Sequence, residues 1–260
     1  MTDKKAPPVR AVSTGANSTA DRAIEILLLF TQDQPVWTPQ EISAHFDMPR
    51  STTYRYLTSL RSNALIVQDS RGCFSLGPRL LHMAQVARLG NPVLSVAGQR
   101  MQELAEKFQE VVVLNERVGQ EIIALDRIDS PQRIVLKSTR THLLPWPATG
   151  SAKVLLAFSD QDEFDKLFAA LTPTPYTEHT IKTREQLLKH LEGVRQAGYA
   201  TSDEERDQDV WGASVPLRHA GGCRHALSVV GPKFRLTATI RRAIVQELLR
   251  AGQDISRQLG

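Results

Sequence analysis

The sequence predicts an α+β protein of two folded parts, a small and mostly helical one followed by a larger one built on an antiparallel sheet. Up to residue 77, apolar residues recur at helical spacing in three short segments, and a hairpin pattern follows them. Beyond residue 110 the apolar period becomes that of strands, interrupted by turn residues and helices. The length of 260 residues is enough for two ordinary domains.

Composition narrows the class of protein. Forty-one per cent of the residues are hydrophobic and 6% aromatic, which excludes wholesale disorder. No apolar run approaches the roughly 20 residues of a membrane span, and the polar N-terminus has no signal-peptide segment. The two cysteines, Cys73 and Cys223, are far apart, as in a reducing compartment. We therefore expect a cytoplasmic protein without membrane association.

The first two helices are predicted from spacing and capping signals. From Ser18, residues at spacings of three and four are expected to face a core, namely Ala23, Ile24, Leu27, Leu28 and Phe30. Thr38-Pro39-Gln40-Glu41 forms a capping box, with proline at the first helical position. It opens a short helix that runs to about Phe46.

The third helix, from Pro49 to about Asn63, carries the feature that needs a functional explanation. Its inner face is predicted to be Thr53, Tyr56, Leu57 and Leu60. The remaining circumference is rich in hydroxyls and arginines, which suit entry into a DNA major groove because they reach base edges and phosphates. The helix start adds its own attraction for phosphate. A small positive excess supports this weakly, since residues 1–90 hold ten Lys or Arg against seven Asp or Glu.

A hairpin follows, with strands at 65–68 and 73–76 around the turn Asp69-Ser70-Arg71-Gly72. Three helices and a hairpin form a winged helix-turn-helix, with Arg71 at the tip of the wing. The DNA-binding candidates are Thr38, Arg50, Ser51, Thr52, Tyr54, Arg55, Thr58, Arg61 and Arg71. Two other interpretations remain open: a helical bundle whose polar face is merely solvated, and an adaptor that binds proteins.

Two helices separated by Asn91-Pro92 come next, the first from Pro78 and the second ending near Phe108. They are typical of a linker that carries a dimer interface, although core packing explains the same apolar stripe. The larger part is predicted to contain strands at 111–118, 121–128, 133–139, 210–217 and 225–231. Its predicted helices are at 150–158, 161–171, 183–197 and 236–259.

No common enzyme motif is present, neither a phosphate-binding glycine loop nor a nucleophile elbow nor a zinc-protease helix. Cys223-Arg224-His225 lacks the second pair of ligands that a zinc site needs, so we expect no metal and no cofactor. The start of the helix at Gly150, with Thr149 and Ser151, either receives a carboxylate or is simply capped. The segment Ser202-Asp203-Glu204-Glu205 is expected in a loop, and Ser214 and Ser228 on apolar strands are either core residues or pocket donors.

The chain resembles the IclR family of bacterial transcriptional regulators from about Ala20 to Leu259. The resemblance is carried by RAIEILLLF, PRSTTYRYLTSL with FSLGPRLL, ATGSAKVLLAF, GYATSDEE and SVVGP. Each motif is loose by itself, but their number, order and spacing are specific.

Residues 1–17, which are polar and rich in Pro, Gly and Ser, are expected to be a mobile tail. The resemblance implies a winged helix-turn-helix DNA-binding domain (18–77), a linker helix (78–91) and a GAF-like effector-binding domain (92–260). It also implies that the helix from Pro49 is the recognition helix, and that the protein works on double-stranded DNA as a homodimer or a dimer of dimers. Together with Ser214, the candidate effector residues are Leu144, Trp146, Thr149, Gly150, Ser151, Ser202, Asp203, Val210, Gly212, Ser228 and Val230.

Family members that hold small oxo-acids tend to carry an acid at the position of Ser202 and a cysteine at the position of Gly212. This chain departs from that pattern at both positions, which leaves the identity of its effector open. The polar face of the third helix and the resemblance together predict a regulator that binds a pseudo-palindromic operator under the control of a small molecule. The ligands of family members are mostly small metabolites, so the resemblance implies a carboxylate or aromatic acid. The alternative is an enzyme of acyl transfer or hydrolysis that uses the C-terminal domain, which would need a nucleophile and a base in one place.

Overall fold

The computed structural model describes residues 18–31, 33–132, 142–143, 146–219 and 222–260. It forms two compact units with their boundary between Gly90 and Asn91. The predicted tail at 1–17 and the predicted strand at 133–139 lie outside the described residues. In the described ranges, no helix has both the length and the apolar character needed to cross a bilayer.

The first unit contains three helices, a hairpin and a further helix: α1 (Thr19–Leu28), α2 (Pro39–His45), α3 (Arg50–Ser62), β1 (Ile66–Gln68), β2 (Phe74–Leu76) and α4 (Pro78–Leu89). Capping boxes start α1 and α2, with Ser18 and Thr38 accepting from the N–H groups of Asp21 and Glu41. The two strands are antiparallel, with Ile66 opposite Leu76. The predicted winged helix-turn-helix is confirmed.

The core of this unit uses a face of α1 that only partly matches the predicted one: Ala23, Leu27 and Phe30 pack in it as predicted. Ile26 is fully buried, whereas Ile24 and Leu28 are 55% and 67% exposed. Ile26 lies about 200° around the helix from Ile24, so the two cannot face the same core. Ile26 packs in one cluster with Ile42 and Leu57 of α2 and α3, and the expectation for Ile24 and Leu28 was wrong.

The second unit is one sheet between two layers of helices. In chain order it contains α5 (Pro92–Phe108), β3 (Val111–Val118), β4 (Glu121–Ile128), β5 (His142–Leu143), α6 (Gly150–Ala157), α7 (Gln161–Ala170), α8 (Arg184–Ala197), β6 (Ala200–Asp203), β7 (Val210–His219), β8 (Gly222–Pro232) and α9 (Ala238–Leu259). The strand order is β5-β4-β3-β8-β7-β6, and neighbouring strands are antiparallel.

Alternating residues of the strands supply two separate cores. Val112, Ala213 and Val229 face α5 and α9, while Ala200 and Ala226 lie in the cluster formed with α6, α7 and α8. Side chains alternate between the faces of a sheet, so one residue of a strand faces one layer and the next faces the other. This alternation decides which candidate residues meet.

Ser202 and Asp203, which were expected in a loop, belong to the edge strand Ala200–Asp203, whereas Glu204 and Glu205 follow it outside any strand. The pairing of this edge strand with β7, in which Ser202 lies opposite Gly212, supplies the backbone hydrogen bonds. A four-residue polar edge strand has no apolar alternation to reveal it, which is why the sequence pattern missed it.

Candidate DNA-binding surface and effector site

The recognition-helix candidate α3 presents a polar outer face. Thr53, Leu57 and Leu60 are buried as predicted. The predicted contact residues lie around the rest of the helix; Arg50, Ser51, Tyr54, Arg55, Thr58 and Arg61 are exposed and Thr52 is partly buried. The helix contains three arginines and no acidic residue. Among the described residues no side chain caps its start after Pro49, so the first-turn N–H groups remain available to an anion.

The wing is held by side-chain hydrogen bonds. Asp69 Oδ1 accepts from the N–H groups of Arg71 and Cys73, both at 2.9 Å, and Gly72 takes the left-handed conformation of the turn with φ +84°. The Cys73 N–H and then Arg71 hold the pKa of Asp69 below its ordinary value. The side chain of Arg71 is 79% exposed and its Nη2 lies 3.0 Å from Asp69 Oδ2. An exposed pair of this kind is weak, so Arg71 can exchange Asp69 for a phosphate at little cost.

Two further candidates have local partners. Arg61 Nη1 donates to Gln68 Oε1 at 2.8 Å, which ties α3 to the wing. The Thr38 hydroxyl accepts from the Glu41 N–H at 3.2 Å and donates to Glu41 Oε2 at 2.8 Å. The role of Thr38 that the structure shows is therefore that of the N-cap of α2.

Most of the effector candidates come together where α6 begins over the sheet. Across β6, β7 and β8, Ser202 lies opposite Gly212, which lies opposite Val230. In the adjoining row, Ser214 lies opposite Ser228. Directly opposed residues of an antiparallel pair point to the same face, so these side chains form one patch under α6.

The contact between α6 and this patch is close. A Cβ on Gly150 would lie 2.7 Å from Ser214 Oγ and 3.2 Å from the Ala200 carbonyl oxygen. Thr149 caps the helix by accepting from the Ala152 N–H at 3.2 Å, and its hydroxyl lies 3.2 Å from that of Ser151. Only glycine at position 150 permits this approach of helix and sheet.

The serines of the patch are buried and hydrogen bonded. Ser214 and Ser228, each 2% exposed, share a hydrogen bond of 2.8 Å. Ser202 Oγ donates to the Ala148 carbonyl at 2.8 Å, which fixes β6 against the segment before α6. A pair of hydroxyls uses one proton for its mutual bond, so the second proton can serve another acceptor.

Of the remaining effector candidates, one lies on the other face of the sheet and one is packed in the helical-layer core. Asp203 follows Ser202 in the strand and lies opposite Trp211, which belongs to the core on the α9 side; its carboxylate pairs with Arg241 at 2.8 Å and Lys233 at 3.0 Å. Trp146 is 2% exposed in the helical-layer core and donates from Nε1 to the Ile181 carbonyl. The expectation that Asp203 faces an effector is corrected by the alternation of the strand. Burial does not exclude Trp146, because Ser214 and Ser228 are buried to the same extent, so its place at the effector site stays a prediction. Leu144 lies outside the described residues.

Val210 lies two residues before Gly212 along β7, opposite Pro232, so its partly buried side chain points to the same face of the sheet as the patch. Around Asp203, burial opposes ionisation, but hydrogen bonds from Lys233 and Arg241 hold the pKa of its carboxyl below the ordinary value.

Beside the patch is a charged group that sequence reasoning did not single out. Lys153 of α6 is fully buried, and its Nζ lies 2.6 Å from Glu205 Oε1 and 2.5 Å from the Thr201 carbonyl oxygen. Burial lowers the pKa of Lys153 and raises that of Glu205. Burial and the nearby charge of Lys153 also lower the pKa of His190 to about 4. The signal in the sequence was a lysine among apolar residues, AKVLLAF.

The cysteine and histidine considered for a metal site lie elsewhere on the sheet. Burial raises the pKa of the Cys223 thiol to about 11, and His225 is buried with Nε2 3.7 Å from Glu116. Over the described part of the chain, no three His, Cys, Asp or Glu side chains gather as a metal site requires.

Comparison with known families adds to this geometry. The family described as "IclR helix-turn-helix domain" matches residues 19–70, and "Bacterial transcriptional regulator IclR C-terminal" matches residues 87–257. The chain belongs to the IclR family. It is a helix-turn-helix transcriptional regulator with a C-terminal effector-binding domain, as the resemblance implied.

Named relatives of this IclR-family chain are regulators. The transcriptional repressor AllR of Escherichia coli strain K12 is 30% identical over 254 residues, covering 92% of this chain and 89% of AllR. The regulator KdgR of Dickeya chrysanthemi is 29% identical over 222 residues, covering 85% of this chain and 73% of KdgR.

A solved structure shares the fold. An IclR homologue from Microbacterium hydrocarbonoxydans, crystallised in complex with 4-hydroxybenzoate, superimposes with a TM-score of 0.78 at 22% identity, over 93% of this chain and 99% of that one.

Proposed function

We propose that this IclR-family regulator is a cytoplasmic, sequence-specific DNA-binding protein that binds a pseudo-palindromic operator as a homodimer or a dimer of dimers. A small carboxylate or aromatic acid, bound at the patch under α6, controls the affinity for that operator. The observation that carries the proposal is the outer face of α3, which is exposed, free of acidic residues and rich in arginine and hydroxyl groups.

Each group on that face has a role in the proposed complex. Arg50 and Ser51 lie in the first turn of α3, where phosphate contacts position a helix on the duplex. Tyr54, Arg55 and Thr58 lie one to two turns further along and reach base edges, where arginine reads guanine. Arg71 on the wing contacts a neighbouring phosphate or the minor groove. Two such helices in a dimer enter major grooves one helical turn, or a multiple of it, apart.

The patch under α6 offers donors that suit an acid. The N–H groups at the start of α6 and the spare proton of the Ser214–Ser228 pair are neutral donors near a positive helix end. The 4-hydroxybenzoate complex of the Microbacterium homologue supports an acid of that class. Among the residues that the structure describes, the two serine hydroxyls bond to each other and no hydrogen bond joins them to a histidine, which favours ligand binding over acyl transfer.

Control requires that the acid bind one arrangement of the DNA-binding units better than another. Coupling of this kind is typically worth about 1–3 kcal/mol.

The helix α4 supports self-association. In the described part of a single copy, none of its residues is buried, and Leu81 and Leu89 are 71% and 90% exposed. An isolated helix of about 12 residues is marginal in water, so we infer that a second copy covers it. Leu89→Glu should weaken dimerisation in sedimentation experiments, while a dimer of parental affinity would place the interface elsewhere.

The experiment that tests the proposed function is selection of sequences from a random duplex library, followed by binding measurements at several salt concentrations. We expect a two-fold symmetric consensus and a steep loss of affinity with salt. A panel of small carboxylates and aromatic acids is then screened by thermal shift, because a bound acid stabilises the fold by mass action. Binding without sequence preference would contradict the proposed recognition of a specific operator. Turnover of test esters would favour the alternative, an enzyme of acyl transfer or hydrolysis.

A further inference from the structure

A buried ion pair joins α6 to the segment that carries Ser202. Lys153 is 0% exposed, and its ammonium contacts the Glu205 carboxylate at 2.6 Å and the Thr201 carbonyl at 2.5 Å. Thr201 and Glu205 stand on either side of Ser202 in the chain. One cation on α6 therefore holds both flanks of a patch residue.

The segment 201–205 is also held by hydrogen bonds from two threonines that precede α8. Thr177 Oγ1 donates to the Glu204 carbonyl at 2.6 Å, and Thr180 Oγ1 donates to the Glu205 carbonyl at 2.7 Å. Ser202 in turn donates to Ala148, next to the start of α6. The ion pair closes this network around the start of α6, since Lys153 lies one turn after Gly150.

Stability alone does not explain the pair. Removing two charges from water costs more than their attraction often returns, and apolar pairs of similar volume are frequently as stable. What a buried pair adds is a directional contact at a set distance. A contact of this kind suits a place where two elements must keep a fixed separation.

We propose that Lys153 and Glu205 are positioning residues, which set the separation between the start of α6 and β6 and so keep the effector patch in its binding geometry. The proposal rests on the proposed function of that patch as the effector site. Neither side chain contacts the effector itself.

The test uses the double variant Lys153→Met/Glu205→Leu, which replaces the pair by apolar groups of similar volume. The matched control is Lys107→Met/Glu247→Leu, which removes an exposed pair of 3.0 Å between α5 and α9. Amide hydrogen exchange is measured on the full chain at residues 148–153 and 200–206. If its melting temperature stays near the parent's, the Lys153→Met/Glu205→Leu protein should show protection from exchange about tenfold lower in these two segments, because they open locally. The control variant should keep the parental protection.

Parental protection in a stably folded Lys153→Met/Glu205→Leu protein would overturn the proposal. Should that protein fail to fold, Glu205→Gln decides instead. It keeps the shape and an oxygen acceptor but removes the charge, so protection at 148–153 should fall about threefold. Protection at the parental value in Glu205→Gln would overturn the proposal in that case.

The dependence of exchange protection on pH distinguishes a positioning role of the charged pair from a role in which the two side chains only fill space. In Lys153→Met the Glu205 carboxyl, whose pKa burial already raises, loses its cation. Its neutral form is favoured at low pH, so protection at 200–206 should be higher at about pH 5 than at about pH 8. Glu205→Leu should lack this dependence. The other titratable groups shown to act on the pair are His190, which feels the charge of Lys153, and Asp203, which acts on Glu205; all variants share both.

Calorimetry with 4-hydroxybenzoate gives the functional readout. If the parent binds it, the double variant should bind about tenfold more weakly while the control binds like the parent. If the parent does not bind 4-hydroxybenzoate, the result counts against the proposal that the effector is an aromatic acid of this kind. The hydrogen-exchange measurement then still decides whether Lys153 and Glu205 are positioning residues.

Discussion

Gly150 and Ser214 lie so close that a Cβ on the glycine would stand 2.7 Å from the serine hydroxyl oxygen. The relationship joins the start of α6 to the middle of the sheet, and it makes the effector patch sensitive to a single methyl group.

Gly150→Val should therefore abolish the response to effector while operator binding is retained. The added side chain overpacks a buried contact, which costs about 1–3 kcal/mol. Calorimetry with the acid found in the thermal-shift screen measures the affinity, and a shift assay measures operator binding. Gly150→Ala/Ser214→Ala should recover part of the stability that Gly150→Ala loses, because the nearest oxygen is gone and a 3.2 Å contact to the Ser214 Cβ remains. Unchanged acid affinity in Gly150→Val would remove the patch from consideration.

Arg55→Ala should weaken binding to the selected operator substantially, with the second unit still folded. Its guanidinium is exposed on the outer face of α3, where it can read a base at about 1–3 kcal/mol. Arg71→Ala should cost less and lower the slope of log affinity against log salt by about one, as expected for a phosphate contact. Arg250→Ala on α9, an exposed arginine of the other unit, is the control. If both variants match this control at equal salt, the helix and the wing are misassigned.

Asp203→Asn should leave acid binding within about twofold of the parent, because the carboxylate pairs with Arg241 and Lys233 on the opposite face of the sheet. Its effect should appear in stability against pH. The pKa of Asp203 is depressed in the fold, so its contribution is present above the unfolded pKa and is lost as pH falls through the folded one. Urea unfolding between about pH 7 and pH 3 should show a shallower loss in the variant. A large loss of acid affinity would return Asp203 to the effector site.

His190→Gln should flatten the acid limb of the stability profile. The pKa of His190 is lowered to about 4 by burial and by the charge of Lys153, so the unfolded chain binds this proton first. The parent should accordingly lose stability as pH falls from about 6.5 to about 4, and the variant should lose less. Melting temperatures across that range provide the measurement. Parallel profiles for the two proteins would show that His190 titrates as an ordinary surface histidine.

Much of the first unit could be predicted from sequence because its signals are local. The capping box of Thr38 and Glu41 and the polar outer face of the helix from Arg50 depend on neighbours a few residues away. The face of α1 could not be predicted in the same way. Ile24 and Ile26 are equally apolar, and only the positions of α2 and α3 select Ile26 for the core.

The effector patch shows the same division. Its residues come from segments up to 80 positions apart, between Gly150 and Val230, and strand pairing brings them side by side. A polar edge strand such as Ala200–Asp203 has no periodic signal, so the opposite orientations of Ser202 and Asp203 could not be read from composition or spacing.

By itself, the amino-acid sequence determined the family, the two-part α+β architecture and the arginine-rich helix, because local spacing and motif order encode all three. Tertiary structure alone decided that Asp203 turns to α9, that Trp146 is buried in the core and that Lys153 holds Glu205. Those outcomes depend on which strands pair and which face each helix covers, and such long-range contacts leave no trace in a short stretch of chain.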